Sequence, residues 1–188
     1  MAGSDLQQDL DYVRGVVTRS EQGATPAGIY LFWAAATAVG FALIDFRPQV
    51  VGTYWMVVFP IGWVFSGWLA WRHARRSGQD DRRTGRLHAV HWLVMFAGVG
   101  LAALLPAQGL VPWPVMGPLA LLVVAVAYLL AGVHLDRLLL WPGVLMTAGY
   151  VVLLFEPAFS WTLVGVLVAA GLVVAALAGG KARGAAAA

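Results

Sequence analysis

Two things are scarce in this sequence: cysteine and charge. The chain contains no cysteine, which excludes disulfide bonds, a cysteine nucleophile, thiolate-ligated zinc and iron–sulfur clusters. Charged residues make up 11% of the 188 positions, whereas an ordinary soluble domain carries about 25%. Apolar residues make up 61%. The composition therefore indicates a chain whose main solvent is a lipid bilayer.

The long apolar runs also lack ionisable residues near their centres. Ionisable groups deep in a membrane usually mark ion or substrate paths, so their absence argues against a transporter driven through a mid-membrane carboxylate. We find no phosphate-binding loop, no dinucleotide fingerprint, no H-E-x-x-H motif and no paired carboxylates on one helix face. The sequence therefore disfavours a membrane enzyme.

The sequence contains six apolar runs long enough to cross a bilayer. A span needs roughly 17–25 residues, and each must be helical because lipid offers no partner to a free backbone amide. The predicted spans are 27–46, 50–71, 88–105, 115–133, 138–155 and 159–179. We predict an all-α, six-span transmembrane helical bundle over residues 26–180, preceded by a cytoplasmic amphipathic segment (1–25) and followed by a cytoplasmic tail (181–188).

Basic residues mark one side of these spans. Eleven of the twelve lysines and arginines lie before the first run, in alternate gaps, or after the last run, and Arg47 alone falls in the other gaps. Short loops rich in lysine and arginine stay in the cytoplasm, so both termini are predicted there, and the composition suits a bacterial inner membrane. This alternation also accounts for the net charge of +3, so no nucleic-acid partner is expected.

The N-terminal segment carries an amphipathic pattern. Leu6, Leu10, Val13 and Val17 are spaced four, three and four apart, which places them on one face of a helix from about residue 5 to residue 18. Membrane-surface helices are usually basic, but this one starts with aspartates. The apolar stripe is therefore a candidate contact with protein, within the chain or on a separate partner.

The longest polar stretch between spans is the arginine-rich loop at 72–87. Its candidate partner-binding residues are Arg75, Arg76, Arg82, Arg83 and Arg86. The simplest interpretation is that these charges only hold the loop in the cytoplasm. The alternatives are binding of anionic lipid, of an acidic partner surface, or of the acidic start of the N-terminal helix.

All four histidines fall at predicted cytoplasmic ends of spans: His73, His88, His91 and His134. His88 and His91 are three residues apart and share a helix face. Two such imidazoles with a third ligand can hold zinc or another divalent metal. Imidazole at headgroup level is otherwise unremarkable, so no cofactor is predicted and a divalent metal site is an alternative.

At the outer ends of the spans the charged residues are Asp45, Arg47 and Glu156. Asp45 or Glu156 is expected to form an ion pair there with Arg47. The sequence also contains a candidate repeat, because segment 40–48 resembles segment 149–157, and the offset of 109 aligns Gly62 with Gly171. Three helical hairpins of similar sequence are one interpretation, and chance recurrence of glycine and proline is the other.

Three kinds of function remain compatible with these patterns. The first is a non-enzymatic integral membrane protein that acts as a scaffold, sensor or accessory subunit through its cytoplasmic face. The second is a small channel or carrier for an ion or an uncharged solute, and the third is a metal-binding membrane protein that uses its cytoplasmic-side histidines. Apolar outer helix faces suit the bilayer, a homo-oligomer and a membrane or cytoplasmic protein partner equally.

Overall fold

The computed structural model describes residue 7 and residues 25–77, 82–155 and 157–187. Within these residues all regular structure is helical. The α-helices are α1 (Ala27–Phe46), α2 (Pro48–Ser77), α3 (Arg82–Ala107), α4 (Met116–His134), α5 (Leu140–Leu153) and α6 (Ser160–Ala187). Short 3-10 helices, Trp113–Val115 and Arg137–Leu139, lead into α4 and α5. Most of the predicted N-terminal amphipathic helix lies outside the described residues.

Five of the six described helices are long and apolar enough to cross a membrane, and α5 is the exception. Its 14 residues rise about 21 Å, less than the roughly 30 Å of a hydrocarbon core. The predicted fifth span is longer than α5 because residues 137–139 form the 3-10 helix and residues 154–155 form a turn. The all-α character is confirmed for the described residues, five helices have the length and apolarity of membrane spans, and a full crossing by α5 stays a prediction.

Helices α2, α3 and α6 extend beyond the predicted spans. Helix α2 already begins at Pro48, because the fixed φ of proline suits the first turn of a helix, so Arg47 alone separates it from α1. At their other ends, α2 continues to Ser77 and α3 starts at Arg82. Helix α6 continues through residues 181–187, the segment predicted as a tail.

The six helices follow one another as three antiparallel hairpins, α1/α2, α3/α4 and α5/α6. Contact within each hairpin is less extensive than contact between hairpins, where α1 packs against α6 and α4 packs against α5. The buried core accordingly comes mainly from α1, α4, α5 and α6. Helices α2 and α3 flank this core, and they meet where the Phe96 ring contacts those of Phe59 and Trp63.

Two glycines set the close approach of α4 and α5. A Cβ atom on Gly132 would lie 2.6 Å from the backbone nitrogen of Leu140, and one on Gly143 would lie 2.8 Å from the backbone nitrogen of Leu129. Backbone atoms cannot rotate aside as a side-chain tip can. Glycine at both positions therefore permits the contact between these helices.

The bundle has two ends with different polar groups. The end at which α1 begins also contains the α4–α5 turn, because Tyr30 is hydrogen-bonded to Asp136. We call it the arginine end, since α2 ends and α3 begins there, and we call the other end the opposite end. At the opposite end α1 finishes beside the start of α6, where the rings of Phe46 and Phe159 stack 5.6 Å apart.

Candidate functional site: the arginine end

A buried hydrogen bond joins α1 to the α4–α5 turn at the arginine end. Tyr30 and Asp136 are each 3% exposed, and the Tyr30 hydroxyl donates to Oδ2 of Asp136 over 2.9 Å. The other carboxylate oxygen, Oδ1, accepts from the backbone N–H of Leu138 over 3.0 Å and so caps the 3-10 helix. Each carboxylate oxygen thus has a donor, as burial of a charged group requires.

All four predicted metal-ligating histidines lie at this end. Nε2 of His91 lies 3.0 Å from the carbonyl oxygen of Ala127, and because a carbonyl only accepts, Nε2 carries the proton in this contact. His88 and His134 are near enough to interact electrostatically with His91, while His73 lies half-buried on α2.

Metal binding at these histidines is not established by the geometry. Within residues 25–77, 82–155 and 157–187, no group of three or more histidine, aspartate or glutamate side chains is arranged to hold a metal ion. The hydrogen bond to Ala127 occupies Nε2 of His91, so that ring offers a metal its Nδ1 atom. The metal site therefore stays a prediction.

Arginine side chains at the end of α2 stack on tryptophans of the same helix. The Arg72 guanidinium lies 5.3 Å from the centroid of the Trp68 ring, and that of Arg75 lies 4.3 Å from the Trp71 ring. Both pairs are four residues apart, so each arginine lies one turn beyond its tryptophan. All four residues are exposed. A guanidinium that lies over an aromatic ring keeps the N–H groups at its own edge available for hydrogen bonds.

The structure places only part of the predicted partner-binding surface. Arg75, Arg83 and Arg86 are exposed at the arginine end. Arg76 and Arg82 belong to α2 and α3, but their side chains lie outside the described part of the chain, as do the following stripe residues: Leu6, Leu10, Val13 and Val17. Whether these residues form one surface therefore stays a prediction.

Asp45 at the opposite end caps a helix. Its Oδ2 atom accepts from the backbone N–H of Thr162 over 2.7 Å and from the Thr162 hydroxyl over 2.6 Å. Thr162 lies in the first turn of α6, where free N–H groups and the helix dipole attract a carboxylate. Arg47 is exposed in the turn between α1 and α2, and Glu156 lies outside the described residues, so their ion pair stays a prediction.

Between its two ends the bundle is apolar. Leu172, Val164 and Val168 of α6 are almost completely buried, and they pack with residues of α1, α4 and α5. The polar contacts at this depth are satisfied within the protein: the Trp33 indole donates to Ser66 over 3.1 Å. Among the described side chains, no buried nitrogen or oxygen atom lacks a hydrogen-bond partner.

The polar chemistry of the described chain is thus concentrated at the arginine end, with a helix cap at the opposite end and an apolar interior between them. Comparison with protein-family models, with curated proteins and with solved structures finds no match to this chain.

Proposed function

We propose that this protein is a non-enzymatic integral membrane protein that works as a scaffold, sensor or accessory subunit through its arginine end. One observation carries the proposal: the described arginines, apart from Arg47, and all four histidines lie at that end, whereas the interior is apolar. A protein whose polar groups are gathered on one face is suited to contact a partner there.

We place the arginine end in the cytoplasm, with both termini, in a bacterial inner membrane. The support is the positive-inside rule, since the exposed residues Arg72, Arg75, Arg83 and Arg86 lie at this end. The opposite end exposes Arg47 alone among the described basic side chains. This orientation also places residues 1–25 on the arginine side.

The Tyr30–Asp136 hydrogen bond supports a role for the N-terminal segment. It fixes the first turn of α1, from which that segment emerges, beside the α4–α5 turn. Eight residues, 19–26, lie between the predicted amphipathic helix and α1. Extended, they reach about 26–29 Å. The apolar stripe can therefore lie against the protein's own arginine end or present itself to a partner above it.

The test is purification of the tagged protein from its own host membranes in mild detergent, followed by intact-complex mass spectrometry. We expect a stoichiometric second protein with the full chain and its loss after deletion of residues 1–20, with membrane insertion unchanged. Serine substitution of all four stripe residues should have the same effect as the deletion. Gln8→Ser with Asp11→Ser is the matched control, because these residues lie on the other face. Association that survives the stripe substitutions would overturn the proposal.

A channel or carrier is the second candidate, and Pro60 is the observation in its favour. Pro60 lies in the middle of α2, where it removes a backbone donor and permits a bend. Helix α2 also has the smallest buried share of the five long spans, 6% against 39% for α6. The apolar interior argues against a path for an ion. Solute flux into liposomes that contain the purified protein, above empty liposomes, would favour this function over the scaffold.

A metal-binding protein is the third candidate, supported by the position of His88 and His91 three residues apart on α3. Metal content of the purified wild type, compared with His88→Ala combined with His91→Ala, tests it. Stoichiometric zinc or another divalent ion that disappears in the double variant would establish the site.

We also infer that the hairpins are repeats. A Cβ on Gly40 of α1 would meet Trp55 of α2, and a Cβ on Gly149 of α5 would meet Val164 of α6. Both the glycines and the residues they face are related by the offset of 109 found in the sequence. Gly98 of α3 likewise faces the next helix, at Val123 of α4. Copies of one ancestral hairpin would each retain a glycine between their two helices.

A further inference from the structure

The last two turns of the apolar part of α2 carry two tryptophan–arginine pairs, Trp68 with Arg72 and Trp71 with Arg75. The ring-to-guanidinium distances are 5.3 Å and 4.3 Å. The indoles are 46% and 53% exposed, so each ring has one face against a guanidinium and much of its remaining surface outside the protein. An indole with an apolar body and a polar edge is suited to the boundary between hydrocarbon and headgroups.

The position of these pairs along α2 matches that boundary. The apolar run of α2 ends at Trp71, and the next residues are polar: Arg72, His73, Arg75 and Arg76. Each arginine is attached to α2 about 6 Å beyond its tryptophan, and its guanidinium lies within 5.3 Å of the indole ring. With the indoles at the boundary between hydrocarbon and headgroups, the guanidinium groups are within reach of lipid phosphates. Helix α2 also makes little contact with the other described residues of the protein, so lipid can approach it.

The pairs are also chemically suited to a phosphate. A guanidinium that lies over an aromatic ring loses part of its conformational freedom before any ligand binds, and its in-plane N–H groups remain available for two parallel hydrogen bonds to phosphate oxygens. Arg83 and Arg86, exposed at the start of α3, add positive charge to the same end. Anionic lipids are attracted to such clusters next to a membrane span.

We infer that Trp68, Trp71, Arg72 and Arg75 form a binding site for the headgroup phosphate of an anionic phospholipid. The ligand is a lipid because both indoles lie where the apolar run of α2 ends, on a helix that few of the other described residues contact. The site requires that α2 be embedded in a bilayer, but it does not require the protein partner of the proposed function. Loss of the lipid site would therefore leave the protein partner bound, and loss of the protein partner would leave the lipid site intact.

The experiment is native mass spectrometry of the full-length chain in detergent, titrated with phosphatidylglycerol or with phosphatidylcholine of the same acyl chains. The zwitterionic lipid shares the phosphate but carries no net charge. We expect the wild type to retain phosphatidylglycerol several-fold more than phosphatidylcholine. R72Q combined with R75Q should remove this preference, and W68L combined with W71L should weaken it although every positive charge remains.

The matched control is R83Q combined with R86Q, which removes the same charge from arginines that have no tryptophan one turn before them. Most of the lipid preference should survive in this control. An equal loss in both arginine double variants would overturn the inference, because it would mean that general attraction and not a built site retains the lipid. Unchanged lipid retention in the tryptophan double variant would overturn it as well.

R72K combined with R75K keeps the test decisive if the glutamine variants fold poorly. Lysine preserves the charge but lacks the planar fork that pairs with two phosphate oxygens. Partial loss of the preference for phosphatidylglycerol is expected. Full retention of it would contradict the role assigned to the stacked guanidinium groups.

Discussion

The Tyr30 hydroxyl donates a 2.9 Å hydrogen bond to the carboxylate of Asp136, 106 residues further along the chain. The bond joins the first hairpin to the turn between the second and third hairpins. Because both side chains are buried, neither can exchange its partner for water at no cost. This contact therefore fixes the start of α1 relative to the α4–α5 turn, and both belong to the face that we propose for partner binding.

Tyr30→Phe should destabilise the protein by about 1–3 kcal/mol, because one oxygen of the buried Asp136 carboxylate loses its donor. Thermal unfolding in detergent, followed by the fluorescence of the nine tryptophans, measures the effect. One kcal/mol corresponds to about 2–4 °C in a chain of this length. Tyr150→Phe is the control, since it removes a hydroxyl from a half-buried tyrosine of α5. Equal shifts in both variants would show that the bond to Asp136 contributes nothing specific.

Glycine substitutions should separate the close helix contacts from the lipid-facing surfaces. Gly132→Ala and Gly143→Ala each place a methyl group against backbone atoms of the neighbouring helix, and such overpacking costs about 1–3 kcal/mol. Gly67→Ala and Gly100→Ala meet nothing within 4 Å, and alanine is the better helix former by about 0.5–1 kcal/mol. The first two variants should therefore unfold at lower temperature than the wild type, and the second two at the same or higher temperature. Loss of stability at Gly67 or Gly100 would instead reveal that these surfaces pack against another copy of the chain.

The helices could be predicted from the sequence because apolar runs of this length have few alternatives in lipid. Their pairing could not, since residues that face lipid and residues that face protein are equally apolar, and the packing of α1 on α6 leaves no polarity pattern. The small-residue pairs visible in the sequence, such as Gly62 with Ser66, show that helices pack closely without showing which ones. Gly132 and Gly143 set the approach of α4 to α5, but the sequence does not distinguish them from other glycines because their role depends on a neighbour's backbone.

The partners of the polar side chains could likewise not all be predicted from the sequence. The sequence predicts an ion pair of Arg47 with Asp45 or Glu156, and it gives no indication that the Asp45 carboxylate accepts two hydrogen bonds from Thr162. The separation of 117 residues gives no sequence signal. The stacks of Arg72 and Arg75 could have been found, because tryptophan and arginine four residues apart on one helix are visible in the sequence.

Loss of the Asp45 cap should loosen the start of α6. Asp45→Ala removes the acceptor for both the N–H and the hydroxyl of Thr162, and loss of a helix cap costs about 0.5–2 kcal/mol. Hydrogen exchange measured by mass spectrometry should become faster in the peptide that covers residues 157–165, while peptides from α4 keep their wild-type rates. Thr162→Val keeps the N–H bond and loses only the hydroxyl. The exchange rate of the same peptide in this variant should lie between those of the wild type and of Asp45→Ala. Unchanged exchange in Asp45→Ala would exclude a capping role.

The absence of cysteine makes the membrane topology directly testable with single-cysteine variants. Two of the variants, Gln108→Cys and Ala158→Cys, are at the opposite end. The other two, Gly85→Cys and Arg137→Cys, are at the arginine end. All four native residues are exposed. With the arginine end in the cytoplasm, a membrane-impermeant maleimide should label positions 108 and 158 in intact cells, and positions 85 and 137 only after permeabilisation.

Position 158 decides whether the short helix α5 crosses the bilayer. If α5 spans it, Ala158→Cys and Arg137→Cys are labelled from different sides; if α5 stays on one side, they are labelled from the same side. A bilayer can thin locally at modest cost to fit a short helix, and the 3-10 helix at residues 137–139 adds about 6 Å to its length. We therefore expect a full crossing. Labelling of positions 85 and 137 in intact cells, with 108 and 158 protected, would instead invert the whole orientation and place the arginine end outside.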